Sequence, residues 1–325
     1  MPLAPILHAA AVLLSAWSAG HGGLTDDRQS ASALATYGGV VAWWGTAGDP
    51  RDARLTVWRP GGRPRRLPVR ANADPSRRAL DAGRGPDGAV WITYARCAGR
   101  RCRPRGYDLR TGQDRDLDVG AGVAASLWGA RVAVLRESGA DTPSSLLVGT
   151  LGQGVARRVP LGGDPIGPPA ALDLRGDRVA LVAWEPGEDS RTLTLLAGRV
   201  ADPATIRPVA FGGAGEECTH SVAAPTLTAT ALTWMVSTLG PSETCGRHVR
   251  ELRRRDARGT TTVAPIPDAA PKQAVVAGGH VVGLFVANPD NGQGDRDACD
   301  PGALAEGGHR GCALRVTPAP RWSSG

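Results

Sequence analysis

The segment Leu172-Asp-Leu-Arg-Gly-Asp-Arg-Val-Ala-Leu-Val-Ala-Trp184 decides the fold, because two short β-type runs flank a tight Arg-Gly-Asp-Arg turn. Similar segments recur along the chain. When each is aligned on its central apolar residue, the anchors stand at positions 41, 90, 132, 179, 232 and 281, so successive steps are 49, 42, 47, 53 and 49 residues. A repeat of this length, built from short apolar runs without a long helical periodicity, indicates a repeated unit of β-strands.

Each repeat resolves into four runs, which the fourth copy illustrates. Ala171-Leu172 is short, Val179–Trp184 is continuously apolar, Leu193-Thr194-Leu195 alternates, and Ile206–Ala210 is polar at its edge and contains a proline. Small residues suit a crowded inner strand, a continuous apolar run suits a strand covered on both faces, and proline suits an outer edge. We therefore predict an all-β fold, a six-bladed β-propeller of four-stranded antiparallel blades. The alternative is another all-β repeat, such as a pair of sandwiches.

The segment Tyr107-Asp-Leu-Arg-Thr-Gly-Gln-Asp-Arg-Asp-Leu117 resembles the hairpin between the third and fourth strands of TolB-type and WD40-like propellers. At the level of pattern the resemblance covers about residues 30–318, and it implies the propeller fold. It implies no functional residue, since the sequence has no Gly-His…Trp-Asp pair, no kelch double glycine and no quinoprotein tryptophan motif.

The two ends of the chain differ from the repeats. Ile6–Trp17 is apolar and Ala16–Gly20 offers small residues for cleavage, which is typical of a secretory signal peptide, although no Lys or Arg precedes Arg28. A buried helix of a cytosolic protein is the alternative. We expect a signal peptide at 1–20, a closing strand or strap at 21–31, the propeller at 32–318 and a tail at 319–325. The expected blades are about 32–70, 79–119, 122–161, 170–210, 224–264 and 273–318.

The chain is basic, with a formal net charge of +7. Lys272 is the only lysine, so arginine supplies 37 of the 38 basic residues. The arginines cluster without interleaved aromatic residues that could stack on bases, so we predict no nucleic-acid partner and assign the clusters to solvated outer strands and hairpin tips. Adhesion to an anionic cell envelope is the alternative for these clusters: Arg63/Arg65/Arg66, Arg100/Arg101/Arg103/Arg105 and Arg250/Arg253/Arg254/Arg255.

Six cysteines in an exported chain predict three disulfides. The repeat register pairs Cys97 with Cys102 and Cys299 with Cys312, each across a loop between second and third strands, which leaves Cys218 with Cys245. All three bridges should then lie on the face of the ring that carries the longer loops. They either pin a binding surface or merely shorten loops. A zinc site is the alternative for four residues: Cys218, His220, Cys245 and His248.

The predicted binding site is the channel mouth on this same face. Its candidate residues lie in the connections that enter blades: Asp74, Asp164, Glu216, Glu217, His220 and Asp268. We predict no cofactor and no metal, with calcium as the alternative in an oxygen-rich loop that contains Asp290, Asp295, Asp297 and Asp300. No nucleophile elbow, phosphate loop or His-Glu-x-x-His motif is present.

The sequence therefore predicts a secreted, extracellular protein that does not span a membrane. Its expected function is that of a non-catalytic binding or scaffold module for a protein, an extracellular glycan or a cell-envelope ligand. The alternative is a carboxylate-dependent propeller hydrolase or lyase that acts on extracellular glycans, since carboxylates from several blades could meet in the channel. A purely structural protein is a third possibility.

Overall fold

A computed structural model describes residues 30–46, 52–74, 77–99, 101–136, 144–161, 171–186, 191–213, 219–239, 250–266, 271–286, 312–317 and 321–324. Within these ranges the chain forms β-strands and a short 3-10 helix at Pro203–Thr205, with no α-helix. No helix in the described part is long and apolar enough to cross a membrane.

The strands follow one another as antiparallel modules in chain order. Each module is a meander, as expected where tight turns join consecutive strands. The first strands of the modules are β1 (Ser30–Tyr37), β5 (Leu80–Arg84), β9 (Ala124–Trp128), β13 (Leu172–Arg175), β17 (Thr219–Leu227) and β21 (Pro271–Ala277). The second strands are β2 (Val40–Thr46), β6 (Val90–Ala98), β10 (Arg131–Arg136), β14 (Arg178–Pro186), β18 (Ala231–Leu239) and β22 (His280–Val286).

The outer half of each module consists of its third and fourth strands, where the sequence pattern was weakest. The third strands are β3 (Arg54–Trp58), β7 (Arg101–Asp108), β11 (Ser145–Thr150), β15 (Arg191–Arg199), β19 (Arg250–Asp256) and β23 (Cys312–Thr317). The fourth strands are β4 (Arg65–Arg70), β8 (Asp114–Asp116), β12 (Gly154–Pro160), β16 (Arg207–Gly213) and β20 (Thr261–Pro265). In the described residues, module six (β21–β23) has three strands and modules one to five have four each.

Two details of the strand pairing were not predicted. Modules two and three share one eight-stranded sheet, because Arg84 of β5 forms a parallel bridge with Trp128 of β9. The tail forms β24 (Ser323–Ser324), which pairs with the outer strand β20 of module five. Ser30 and Ala31, which the sequence assigned to the strap, belong to β1, while residues 21–29 and the predicted signal peptide lie outside the described residues.

The hydrophobic core lies between the modules rather than inside any one of them. Separate clusters of buried residues join modules one and two, two and three, three and four, four and five, and five and six. A further cluster joins the last module to the first, where Leu34 and Trp43 pack with Val282 and Leu284. Face-to-face burial of this kind is how propeller blades are stabilised.

The arginine clusters are only partly where the sequence placed them. Arg65 and Arg66 do lie on the outer strand β4, but Arg250, Arg253, Arg254 and Arg255 belong to the third strand β19. Leu252, in the middle of β19, is fully buried, so this strand has one side in the core, as expected of a third strand. The assignment of this cluster to an outer strand or hairpin tip was therefore wrong.

Close approach of modules two and three leads to a stability prediction. Gly83 of β5 has no room for a side chain, since an added Cβ would overlap the carbonyl oxygen of Leu127 in β9. We expect Gly83→Ala to lower the free energy of unfolding by about 1–3 kcal/mol, because the two strands must move apart. Thermal and urea unfolding would measure this change. In the control Gly62→Ala the nearest atom is the Arg59 carbonyl oxygen at 3.3 Å, and we expect a change of about 0.5 kcal/mol; equal losses in the two variants would contradict the close approach.

Candidate functional site

The two ends of the strands form two different faces. We call the end with the turns between first and second strands the turn face, and the end with the connections between modules the connection face. Residues of the connection 71–79 contact the end of β6 that leads into the β6–β7 loop: the Asn72 side chain donates to the Ala95 carbonyl at 2.9 Å and accepts from the Cys97 backbone N–H at 2.9 Å. In module two the connection and the second-to-third-strand loop therefore lie on one face, in line with the sequence prediction.

The predicted disulfide between Cys97 and Cys102 is present and joins β6 to β7 at this face. The Arg77 guanidinium donates to the Cys102 sulfur at 3.2 Å, and the nearby Arg78 side chain is buried and donates to the Asn72 carbonyl at 2.9 Å. These contacts fix the rim of module two. Cys312 is the first residue of β23, but its side chain is not described. The remaining three cysteines lie outside the described residues: Cys218, Cys245 and Cys299.

Of the predicted channel-mouth residues, the structure describes the side chain of Asp74 alone. Asp74 is exposed on the rim, and its carboxylate lies 3.4 Å from Arg77 Nε. His220 belongs to β17, but its side chain lies outside the described part, as do Asp164, Glu216, Glu217 and Asp268. The calcium-loop candidates Asp290, Asp295, Asp297 and Asp300 and the zinc candidate His248 are also outside it. In the described residues, no group of three or more His, Cys, Asp or Glu side chains could hold a metal ion.

The inner strands carry polar side chains that the sequence analysis did not single out. Among the described first strands, β1, β13, β17 and β21 each have one edge without a partner in their own sheet, and the N–H groups along that edge need acceptors. Ser126 Oγ accepts from the Leu174 N–H at 2.8 Å, and the Asp173 carboxylate accepts from the Leu227 N–H. Each contact runs from one module to the next.

The same kind of hydrogen bond joins the last module to the first. Gln273 Oε1 of β21 accepts from the Leu34 N–H of β1 at 2.9 Å. We call these three acceptors, Ser126, Asp173 and Gln273, the inner-edge acceptors. Ser126 and Asp173 each stand three residues before the glycine of a tight turn, at Gly129 and Gly176, so the repeat alignment could have found them.

Two carboxyl groups are buried among the inner strands. Asp81 and Asp173 are each 7% exposed. Burial raises the pKa of Asp173 to about 7, against the opposing effects of the Leu227 N–H and the Arg175 charge. Burial also raises the pKa of Asp81 well above its usual range, and the negative charge of Asp173 raises it further, while a hydrogen bond from Ser126 lowers it. Two interacting buried carboxyls hold a proton between them at neutral pH.

On the turn face, an arginine lies against two aromatic rings from other modules. Tyr37, Trp128 and Arg175 are the last residues of β1, β9 and β13. The rings of Tyr37 and Trp128 meet edge to face with centroids 5.3 Å apart, and Arg175 Cζ lies 4.7 Å from the centre of the Trp128 ring and 5.9 Å from that of Tyr37. These residues come from modules one, three and four, so they bridge the space that the inner strands surround. We call them the Tyr37–Trp128–Arg175 plug.

Arginine side chains also form hydrogen bonds between neighbouring turns on the turn face. Arg131 Nη1 donates to the Gly176 carbonyl at 2.7 Å, and Arg178 Nη1 donates to the Thr228 carbonyl at 3.2 Å. Both arginines begin a second strand, directly after a two-residue turn. The repeated Gly-x-Arg-Val of residues 129–132 and 176–179 is the sequence signal for this contact.

The buried acid pair gives a pH prediction. The folded-state pKa values of Asp81 and Asp173 lie above those of the unfolded chain, so the native state binds more protons between about pH 4 and pH 7. The stability that Asp173 contributes is fully present below about pH 4 and is lost as the pH rises through about 7, and the raised pKa of Asp81 acts in the same direction. We expect the wild type to lose on the order of 2 kcal/mol between pH 5 and pH 8 relative to Asp81→Asn/Asp173→Asn, whose amide oxygens can still accept the same hydrogen bonds. Parallel pH profiles of thermal unfolding for the two proteins would contradict this coupling.

The comparisons with known proteins concern the fold. No protein-family model matches the sequence, and no curated protein matches it. Among solved structures, TolB from Acinetobacter baumannii superposes with a TM-score of 0.50 at 14% identity, over 99% of this chain and 73% of the other. An α-L-arabinofuranosidase from Fusarium graminearum gives 0.49 at 10% identity, over 90% and 94% of the two chains. An oligogalacturonate lyase in complex with manganese gives 0.47 at 13% identity, over 93% of each chain. The chain thus has an all-β propeller fold with four-stranded antiparallel blades, as the sequence predicted.

Proposed function

We propose that the six modules are the six blades of a closed propeller, preceded by a signal peptide at 1–20 and a strap at 21–29. Three features favour closure between module six and module one: the shared core cluster of Leu34, Trp43, Val282 and Leu284, the Gln273–Leu34 hydrogen bond, and the packing of β21 against β1. A ring without free edges is the usual way in which such repeats avoid edge-to-edge association.

We further propose that the protein is secreted and acts as a non-catalytic binding or scaffold module. The Cys97–Cys102 bridge supports export, because disulfides persist in oxidising compartments. The Tyr37–Trp128–Arg175 plug occupies the ends of three inner strands on the turn face, which favours the connection face for a ligand site. Rigid rim contacts such as Asn72–Cys97 would hold the loops that meet the ligand.

The non-catalytic proposal rests on the surroundings of the two buried acids, Asp81 and Asp173. Asp173 accepts the Leu227 N–H and so holds the inner strands of modules four and five together, while Asp81 lies within the inner strand β5. Both are also more than nine-tenths buried. A catalytic acid or base must be within hydrogen-bond reach of a substrate, and these two groups are covered by protein.

The hydrolase or lyase alternative rests on the same pair. Two carboxyls with raised, coupled pKa values are the usual machinery for acid–base cleavage of a glycosidic bond. This alternative requires the pair to become accessible from the connection face, and it predicts that amide substitutions abolish turnover.

One experiment separates the two functions. The purified secreted protein would be incubated with isolated peptidoglycan sacculi, as the cell-envelope glycan, and both co-sedimentation and newly formed reducing or unsaturated ends would be measured. We expect the protein to sediment with the sacculi and release no products, and Asp81→Asn/Asp173→Asn to sediment equally well, because its connection face is unchanged. Product release that is lost in the double variant would establish the enzyme instead. Failure of the wild type to sediment would contradict binding to this envelope ligand.

A further inference from the structure

The hairpin of β3 and β4 on module one concentrates positive charge more than any other described hairpin of its length. Between residues 52 and 70 it has six arginines and a single acid, Asp52. Five of the arginines are exposed, and we call them the arginine strip: Arg59, Arg63, Arg65, Arg66 and Arg70. The sixth, Arg54, is paired with Asp52 at 3.3 Å.

The strip is largely without counter-charge. Within the described part of the chain, Arg59, Arg63, Arg65 and Arg70 form no ion pair. Arg66 has a long ionic contact of 3.9 Å with the already paired Asp52 and donates to the Asp52 carbonyl at 3.3 Å. The pairing of the strands also places Arg54 directly opposite Arg70. Like charges that face each other across two strands destabilise a sheet slightly, so folding alone does not explain this arrangement.

Several arginines elsewhere in the described residues are built into the fold. Arg253 pairs with Glu251 at 2.6 Å, and Arg254 lies 6.0 Å from the centre of the Trp322 ring. Arg105 pairs with Asp114 at 2.8 Å, and Arg131 and Arg178 bind carbonyl groups of the next module. The arginine strip on module one differs from these arginines, because its side chains are exposed and largely without counter-charge.

The backbone that carries the strip is held in place. The Gly62 N–H donates to the Arg59 carbonyl at 2.9 Å, and Trp58 Nε1 donates to the Gly62 carbonyl at 3.0 Å. Leu67 and Val69 anchor β4 in the core that joins modules one and two. Arg66 and Arg70 pair with Thr56 and Arg54, which are two residues apart on β3, so β4 bulges between them and the exposed arginines form a short row on this outer edge. A backbone that is already fixed does not have to be ordered when the row binds a repeating anion.

The surroundings of the row indicate which polyanion fits. Guanidinium groups bind carboxylates and sulfates through paired hydrogen bonds. Trp58, the aromatic residue of the hairpin, is 7% exposed and therefore unavailable for stacking on a nucleobase. No large apolar side chain of the hairpin is exposed, so insertion into a bilayer is not favoured either.

We propose that the arginine strip is a second binding surface, separate from the connection face, and that its partner is a linear acidic polysaccharide. The polymer lies along the outer edge of module one, with its carboxylates or sulfates against Arg63, Arg65, Arg66 and Arg70. Binding depends on charge and therefore weakens as the salt concentration rises. This inference does not rest on the proposed function of the connection face.

The test uses the full-length secreted protein and immobilised polygalacturonate, with neutral dextran as the blank matrix. We expect wild type to bind polygalacturonate in low salt and elute along a sodium chloride gradient. Arg63→Gln/Arg65→Gln/Arg66→Gln should bind about tenfold more weakly and elute earlier, because three of the charges that contact the polymer are removed.

The matched control is Arg136→Gln/Arg207→Gln/Arg258→Gln, which removes the same charge from three exposed sites on modules three, four and five. We expect its affinity to stay within about twofold of wild type. Equal weakening of the two triple variants would show a net-charge effect and overturn the proposal, as would wild type that does not bind polygalacturonate. Tighter binding of single-stranded DNA than of polygalacturonate would also overturn it, in favour of a nucleic-acid surface.

Discussion

The unpaired edge of the inner strands is the constraint on which the rest of the structure depends. Among the described strands, β1, β13, β17 and β21 each have an edge whose N–H groups are not satisfied by their own sheet. The inner-edge acceptors solve this problem between modules, with Ser126 serving Leu174, Asp173 serving Leu227 and Gln273 serving Leu34. Because the acceptors come from neighbouring modules, satisfying the backbone also holds the modules side by side.

The inner-edge acceptors also determine the chemistry among the inner strands. A carboxylate is a strong acceptor for a backbone N–H, but placing one there buries its charge and raises its pKa. Asp81 and Asp173 share this burial, so near neutral pH they carry less negative charge than two free acids. At the turn face, Arg175 sits between the rings of Tyr37 and Trp128, where it remains close enough to Asp173 to lower that acid's pKa. The residues that hold the inner strands together therefore also determine the charge at the centre of the fold.

The sequence predicted the modules well where the strand type leaves a local signature. Continuous apolar runs such as Val179–Trp184, preceded by a glycine turn, mark second strands because burial on both faces excludes polar residues. The arginine-rich β19 was missed, since its alternation is carried by Leu252 alone among long side chains that can extend to solvent. The buried acids were missed for a different reason: the search for site residues followed loops, and Asp81 lies within a strand. Contacts between Tyr37 and Trp128 depend on ring geometry, which no single repeat encodes.

Amide hydrogen exchange in a Gln273→Leu variant tests the hydrogen bonding between the inner strands of neighbouring modules most directly. The substitution removes the acceptor of the Leu34 N–H and leaves Ser126, the acceptor of the Leu174 N–H, untouched. The account predicts that exchange at Leu34 accelerates by about tenfold or more while Leu174 keeps its protection. Exchange at Leu34 that is already unprotected in the wild type, or that is unchanged by the substitution, would contradict it.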